Sequence, residues 1–281
     1  MSSESKKYWE YFFIALAALS SVVTLLGFIF ESDINWKDIS LCVKFIILIL
    51  IIFGCMFYAC LMTSRKSKIT FKFNPQFILT IEEGDLFDKK GIIVIPVNEY
   101  FDTHIGDGII SSNSIHGKFV NSIFKDRIDE LNTIITDALK NRPCEYNASR
   151  QKGNKQKYEL GTCIDVKEGD NIYVLVALTH FDKDNHAYLE RKDFPIVFDK
   201  LIFHLNDISM QVEKSIYMPL MGTGLSRLKR SPQRILNFLV DAIDFKYSGD
   251  TFPYGFFVEI YDVNQVNLNQ LENHFENDLS L

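Results

Sequence analysis

The chain has 281 residues, of which 47% are hydrophobic, 14% aromatic and 23% charged. This composition excludes an intrinsically disordered protein, because disordered chains lack the apolar side chains whose burial offsets the entropy lost on folding. Residues 1–68 hold seven basic and five acidic side chains, and the remainder holds 23 basic and 31 acidic ones, a net charge of −8. We therefore expect no nucleic-acid partner, since that binding needs cationic surfaces that neutralise phosphates.

Two apolar runs, residues 11–30 and 41–62, dominate the N-terminal region. A helix of about 20 residues is about 30 Å long, which matches the hydrocarbon core of a bilayer. The alternatives are a cleaved signal peptide for the first run and a buried helical hairpin for the second. The first run is too long for a signal peptide and ends without a small-residue cleavage pattern. We therefore predict a two-helix transmembrane hairpin over residues 1–68, followed by a soluble domain over residues 69–281.

The charges that flank the two runs predict how the hairpin is oriented. Lys6 and Lys7 precede the first run, whereas Arg65, Lys66 and Lys68 follow the second, and the loop between the runs is mainly acidic. Basic residues close to a membrane span resist translocation. The expected topology is a two-pass protein of the cell inner membrane with both termini in the cytoplasm.

Beyond residue 68, short β-type runs alternate with longer helical patterns. The predicted strands are residues 69–73, 77–81, 91–97, 160–166, 171–178, 214–220 and 254–261, and the predicted helices are residues 114–141, 194–210 and 232–244, with one more at the C-terminus. This alternation predicts an α/β layered domain with a largely parallel or mixed sheet. Ligands of such sheets bind beyond the carboxyl ends of the strands, so the residues that follow each strand are the candidates for a site.

Two of these strand ends carry polar side chains. Asp85, in the sequence Glu-Gly-Asp-Leu, can accept hydrogen bonds from an amine or cap a helix, and capping is the commoner use of such a residue. Asn98 ends the apolar run IVIPVN and offers both a donor and an acceptor to a sugar hydroxyl, or else to the backbone of its own loop. Taken alone, neither residue decides between binding and local structure.

Glycines follow two of the strands. Gly106 and Gly108 lie in the loop after Asn98, and Gly222 and Gly224 follow the strand that ends near residue 220. Backbone N–H groups in such loops can bind an anion such as a diphosphate, although glycines also simply turn the chain. The spacing matches neither the Walker loop nor the Rossmann fingerprint. Ser231 and Pro232 predict the N-terminus of the next helix.

No catalytic or metal-binding pattern stands out. The six histidines and five cysteines show no HExxH or CxxC spacing, and there is no GxSxG nucleophile motif. His116 is more typical of a helix-start or packing residue than of an acid or base, because no partner for it is evident. We therefore predict no metal, no cofactor and no catalytic residue.

The order EGDL, IVIPVN, a glycine loop and PLMGTG resembles the macro-domain family, which implies a three-layer α/β/α sandwich that binds ADP-ribose. By this resemblance Asp85 contacts adenine, Asn98 the distal ribose, residues 106–108 one side of the diphosphate, and residues 222–226 the other. The implied ligand-binding residues are Asp85, Leu86, Asn98, Gly106, Asp107, Gly108, Gly222, Thr223, Gly224, Leu225 and Ser226. Ile95 stands where many catalytic members have asparagine, so the resemblance favours binding over hydrolysis.

The whole chain, with two apolar runs ahead of SIHGKFV, KYELGT, LTHFDKDN and MPLMGTGLSR, resembles the membrane-anchored macro-domain effectors of type II Thoeris antiphage defence. That resemblance implies a nucleotide messenger, an ADP-ribose derivative such as histidine-ADP-ribose, made from NAD by a TIR-domain enzyme. It also implies a homo-oligomer that disrupts membrane lipid. Asp107, Asp182 and Asp184 are candidates for contacting a cationic extension of the messenger. The alternatives are a membrane-tethered ADP-ribosyl or ADP-ribose-ester hydrolase and a passive membrane-bound scaffold.

Overall fold

The computed structural model describes residues 3–29, 40–63, 66–224 and 227–279. The chain divides into two compact units, Met1–Arg65 and Lys66–Leu281. The first unit contains two helices, α1 (Ser3–Ile29) and α2 (Leu41–Thr63). Phe12 of α1 is buried together with Cys55 and Ala59 of α2. The two helices therefore pack against each other along their apolar sides.

Within the described residues, one stretch, Cys42–Leu61 of α2, is long and apolar enough to cross a membrane. The apolar stretch of α1, Tyr8–Val22, is shorter than this one. Large apolar side chains of α2, such as Leu50 and Phe53, are exposed, as expected for a helix surface that contacts lipid. Length and composition thus support one membrane-spanning helix, and the second stays a prediction.

The second unit contains ten strands and five helices among its described residues. The strands are β1 (Lys68–Asn74), β2 (Phe77–Glu83), β3 (Ile92–Asn98), β4 (Cys144–Tyr146), β5 (Gln156–Tyr158), β6 (Cys163–Glu168), β7 (Asn171–Phe181), β8 (Ala187–Tyr188), β9 (Ile216–Pro219) and β10 (Phe252–Ile260). The helices are α3 (Ile115–Ile123), α4 (Ile128–Leu139), α5 (Asp193–Val212), α6 (Pro232–Ala242) and α7 (Leu268–Leu279). Short 3₁₀ turns cover Leu86–Asp88 and Val263–Gln265, and a π-helical turn covers Ile243–Tyr247.

The strands form one mixed sheet in the order β1-β2-β10-β9-β3-β7-β6, with β8 paired to the end of β7. The five central strands, β2, β10, β9, β3 and β7, run parallel, whereas β1, β6 and β8 pair antiparallel with their neighbours. A separate hairpin pairs β4 with β5. The predicted mixed α/β sheet is confirmed, and the carboxyl ends of the parallel strands meet at one edge.

Apolar side chains on the two faces of the sheet form two cores. One core packs α5, α6 and α7 against one face, with residues such as Leu201, Leu236 and Leu271 fully buried. The other core packs α3 and α4 against the opposite face, around Phe119 and Leu131. Because successive strand residues point to opposite faces, the apolar run of β3 contributes to both cores. The domain is therefore a three-layer α/β/α sandwich.

The single helix predicted over residues 114–141 is wrong, because the chain forms α3 and α4 with a break between them. Phe124 leaves the helical conformation and is fully buried in the core. Arg127 lies over the Phe124 ring and donates a hydrogen bond to the carbonyl of Ile123. The apolar periodicity continues across the break, so the pattern alone did not reveal it.

The β4–β5 hairpin was also not predicted, because residues 142–157 are polar and lysine-rich. Backbone hydrogen bonds attach it to the main domain, where Tyr158 donates to the carbonyl of Glu99 at 2.9 Å.

Candidate functional site

A cleft of about 590 Å³ opens at the carboxyl ends of β3, β7 and β9. Its size lies within the range of small-molecule and cofactor sites. Its walls are the ends of β3 and β7, the turn between β7 and β8, the loop after β9 and the start of α3. The lining residues used below are Asn98, Gly108, Ser114, His116, Thr179, Phe181, Asn185, His186, Gly222, Thr223, Gly224 and Arg227.

Asn98, the last residue of β3, is 3% exposed and points into this cleft. Its Oδ1 accepts a hydrogen bond from the backbone N–H of Tyr100 at 2.9 Å. Among the residues that the structure describes, its Nδ2 makes no hydrogen bond. Asn98 therefore stabilises its own loop through the oxygen, while its amide group stays available as a donor in the cleft.

The loop after β9 bends into the cleft at Gly222, whose φ of +86° favours glycine. A Cβ there would also lie 3.0 Å from Leu228, so a side chain meets steric as well as backbone strain. Thr223 closes the turn by donating from Oγ1 to the carbonyl of Leu220 at 3.0 Å. Gly224 lines the cleft as well, whereas Leu225 and Ser226 lie outside the described residues.

The first turn of α3 forms the opposite wall. Ser114 is its N-cap and accepts the N–H of Gly117 at 2.9 Å. A Cβ at Gly117 would lie 2.1 Å from the carbonyl of Ser111, so this glycine lets the loop fold tightly onto the helix start. A helix N-terminus that faces a cleft directs unsatisfied N–H groups and a positive dipole end towards a bound anion.

His116 also lines the cleft, and it is buried in the first turn of α3. Burial lowers its pKa to about 4, although a hydrogen bond with the backbone of Asp102 opposes the shift. The imidazole is therefore neutral at physiological pH. The expected helix-start position is correct, and the tertiary fold adds the role in the wall of the cleft.

Four predicted ligand-binding residues do not line the cleft in the described part of the chain. Asp85 caps the 3₁₀ turn, accepting the N–H of Phe87 at 3.0 Å, and Leu86 is buried in the core. Gly106 lies in the loop beside Gly108, at a φ of +100°. Asp107 is exposed and lies 3.3 Å from His104. The structure thus brings together Asn98, Gly108 and the loop 222–224.

Arg227, which follows the glycine loop in the chain, also lines the cleft. Its backbone lies in the left-handed region, with a φ of +52°. No sequence signal distinguished this arginine from Lys229 and Arg230. An arginine in the cleft adds a cation that can pair with phosphate.

The turn between β7 and β8 contributes Asn185 and His186 to the cleft. Asp182, a candidate for contacting a cationic extension, accepts the N–H groups of Asp184 and His186 at 2.9 and 2.8 Å. The ligand atoms of Asp182, Asp184 and His186 lie within 4.8 Å of one another, which would allow them to hold a metal ion. All three are exposed, and the turn itself accounts for their arrangement.

A buried ion pair between Arg150 and Asp102 holds the β7–β8 turn through Asn185. Arg150 donates to both oxygens of Asp102, at 3.1 and 2.7 Å, and both side chains are almost fully buried. Arg150 Nε donates to Asn185 Oδ1 at 3.0 Å, and the guanidinium lies 3.8 Å from the centroid of the Tyr100 ring. Asp102 also accepts the N–H of Asn154 at 2.7 Å. The pair thus ties the hairpin region to the β7–β8 turn.

A second cavity, of about 410 Å³, lies beside the same strand ends and includes Glu99, Lys157, His180 and Asp193. Glu99 is 1% exposed, and its carboxylate binds His180 Nδ1 at 2.5 Å and the N–H of Phe181 at 3.1 Å. His180 Nε2 lies 3.5 Å from Asp193. The hydrogen bond to Glu99 raises the pKa of His180, against the opposing effect of burial.

A model of the macro domain of the Thoeris protein ThsA matches residues 79–260 of the chain. The chain belongs to the Thoeris ThsA macro-domain family. It is 31% identical over 151 residues to Thoeris protein ThsA of Bacillus amyloliquefaciens (strain Y2), an alignment that covers 52% of this chain and 49% of that protein. The chain thus spans about half the length of this curated relative.

Solved structures with the same fold include two of the Oceanobacillus iheyensis macrodomain. A variant with ADPR has a TM-score of 0.53 at 9% identity, covering 76% of this chain and 100% of that one. The macrodomain with ADP has a TM-score of 0.53 at 9% identity, covering 77% and 99%. At such low identity these likenesses show the macro-domain fold of this ThsA-family chain and nothing of its ligand.

Proposed function

We propose that this ThsA-family chain is an antiphage-defence effector whose cleft binds an ADP-ribose-derived nucleotide. The observation that carries the proposal is the convergence of Asn98, the start of α3 and the Gly222–Gly224 loop on one cleft of about 590 Å³. These three elements offer an amide donor, a helix N-terminus and a glycine loop. A ribose hydroxyl and a diphosphate are the groups that such donors recognise.

The diphosphate lies between the two glycine-containing walls in this proposal. Main-chain N–H groups of the Gly222–Gly224 loop approach it closely, because no side chain shields the backbone at either glycine. The N-terminus of α3 and the guanidinium of Arg227 supply positive potential to a cleft in a domain of negative net charge. Asn98 Nδ2 donates to the distal ribose. Asp85 lies outside the lining of the cleft, so its contact with the adenine amine requires the adenine to extend beyond the cleft towards the end of β2.

The messenger is an amino-acid conjugate of ADP-ribose, such as histidine-ADP-ribose, made from NAD by a TIR-domain partner. Binding shifts the chain towards an oligomer that disrupts membrane lipid, which requires a higher affinity of the ligand for the oligomer than for the resting state. The apolar helix Cys42–Leu61 and the shorter apolar stretch Tyr8–Val22 support the membrane location. In this proposal both helices span the inner membrane, with the two termini in the cytoplasm.

The test is a calorimetric titration of the full chain in detergent with ADP-ribose, with histidine-ADP-ribose and with histidine alone. We expect saturable binding of the two nucleotides and none of histidine. Gly222→Val weakens binding at least tenfold, because strain at φ +86° displaces the loop. Gly249→Val is the matched control, since a Cβ at Gly249 has no atom within 4 Å and the residue lies outside the cleft.

The proposal fails if neither nucleotide binds to the wild-type chain while its circular dichroism shows a folded domain. Equal affinity in the Gly222→Val and wild-type chains would move the site away from the glycine loop. Release of ADP-ribose from an ADP-ribosylated substrate, lost in Asn98→Ala, would instead show a hydrolase. That assay separates the binding effector from the enzyme alternative.

A further inference from the structure

Helix α5 carries apolar side chains on its outer side as well as on its inner side. Its inner side is buried through residues such as Val197 and Leu201. On the outer side Ile196 is 50% exposed, Phe203 79% and Met210 53%. The spacing of seven residues places all three on one stripe of the helix, as in the seam of a coiled coil.

The π-helical turn after α6 extends this stripe. Phe245 is 94% exposed, and the next residue, Lys246, forms an ion pair with Asp199 of α5. Tyr247 donates a hydrogen bond to the same carboxylate. Asp199 lies on α5 between the levels of Ile196 and Phe203, so these contacts hold the turn that carries Phe245 beside the stripe. We call Ile196, Phe203, Met210 and Phe245 the α5 patch.

The three α5 residues of the patch are arranged symmetrically about Phe203, because Ile196 and Met210 lie seven residues to either side. Two antiparallel copies of α5 around a two-fold axis at Phe203 place each Ile196 opposite the Met210 of the other copy. Asp207 then lies opposite Asp199 and its bound Lys246, so each lysine meets two carboxylates. Such a self-complementary arrangement is what a two-fold symmetric interface requires.

The exposed area is sufficient for this pairing. With roughly 200 Å² for a fully exposed phenylalanine side chain, Phe203 and Phe245 together present about 350 Å² per copy. Complete burial of both side chains in two copies would remove up to about 700 Å² from water. Ile196 and Met210 bring the total close to about 1,000 Å², the size that a specific interface needs.

Charge argues against a lipid surface as the occupant. The two phenylalanines are flanked by Asp199, Asp207 and Asp244, against Lys200 and Lys246. Surfaces that lie on anionic membranes are instead rich in lysine and arginine. We propose that the α5 patch is a self-association surface through which two copies of this chain pair about a two-fold axis at Phe203. This proposal deepens the oligomerisation step of the proposed function by naming its surface.

The test uses cysteine cross-linking of the full chain in lipid nanodiscs and in detergent, with Cys42, Cys60 and Cys144 replaced by serine. A disulfide requires Cα atoms within about 7 Å, whereas 14 helical residues span about 21 Å. We expect Phe203→Cys to form a cross-linked dimer by itself. Ile196→Cys and Met210→Cys should each fail alone and cross-link when the two variants are mixed. Asp137→Cys, exposed on α4 in the opposite layer, is the control for random collisions.

Cross-linking of Phe203→Cys no greater than that of Asp137→Cys overturns the proposal, and so does cross-linking of Ile196→Cys alone. A second measurement attaches a nitroxide to the F203C variant. Relaxation of this label by oxygen dissolved in the membrane, and not by an aqueous nickel chelate, would place the patch in the bilayer. That result also overturns the proposal. Calorimetric titration of the reduced variants reports the nucleotide site separately. If the expected cross-links do not form while nucleotide binding is normal, the pairing through the α5 patch is refuted and the proposed nucleotide binding still stands.

Discussion

Asn98 and Glu99 are neighbours in the chain, yet they belong to two different cavities. The same is true of Thr179 and His180 at the end of β7. Because successive residues of an extended chain point in opposite directions, one pair of strand ends supplies polar groups to both cavities. In the first, Asn98 keeps its amide donor for a ligand, whereas in the second, ion pairs occupy the polar groups. The difference distinguishes the proposed nucleotide site from a cluster of paired charges.

The largest expected effect comes from the ion pair behind the first cleft. Arg150→Met leaves the carboxylate of Asp102 buried without its partner, which costs about 3–5 kcal/mol of unfolding free energy. It also releases Asn185 from the wall of the cleft and lowers nucleotide affinity. Urea unfolding of the full chain in detergent, followed by circular dichroism, measures the first effect.

The control for that variant is Lys192→Met, which removes an ion pair between the exposed side chains of Lys192 and Glu190. Exposed pairs contribute about 0–1 kcal/mol, so this substitution should change stability little. If the two variants lose the same unfolding free energy, burial of the Arg150–Asp102 pair does not increase its contribution to stability.

The second prediction uses pH. His116 has a pKa of about 4 in the folded chain against 6.5 when exposed, so the unfolded state binds the proton more tightly. Its neutral form is fully compatible with folding above pH 6.5, and stability is lost as the pH falls from 6.5 to 4. This shift in the pKa of His116 corresponds to a loss of about 3 kcal/mol of unfolding free energy between pH 6.5 and pH 4. His116→Asn should flatten this part of the stability–pH profile, and an unchanged slope would contradict the assignment.

The third prediction compares the two cavities directly. Asn98→Asp keeps the acceptor for Tyr100 but replaces the amide donor with an anionic oxygen, so nucleotide affinity should fall about tenfold or more. Glu99→Gln, one residue away, changes the other cavity and should leave affinity within about twofold, less than about 0.5 kcal/mol. Isothermal titration measures both. A comparable loss in Glu99→Gln would show that the cavities are energetically coupled.

The smallest expected effect concerns His180. Its pKa is raised by Glu99, so its contribution to stability is complete below pH 6.5 and is lost as the pH rises through the raised pKa. His180→Gln should therefore destabilise the chain more at pH 5 than at pH 9, the reverse of the trend for His116. Urea midpoints at the two pH values measure the difference, and a larger effect at pH 9 would refute the ion pair.

Local chemistry was enough to predict several features of the chain. Ser231 caps α6 and Pro232 occupies its first turn, as expected, because capping depends only on adjacent residues. Alternating strand and helix patterns predicted the mixed α/β sheet. Because ligands of such sheets bind beyond the carboxyl ends of the strands, Asn98 and the Gly222 loop were predicted to lie at one edge. The apolar run of α2 was visible for the same reason, since length and composition are local quantities.

Other features depend on contacts between residues that are distant in the chain, so only the folded chain reveals them. Arg150 and Asp102 are 48 residues apart and pair inside the domain. Arg227 and His116 line the same cleft although they are far apart in the chain. Phe124, at the break between α3 and α4, is fully buried in the core although the apolar periodicity continues past it. Periodicity predicts which residues are buried, but the partners of a buried group are decided by the packing of the layers.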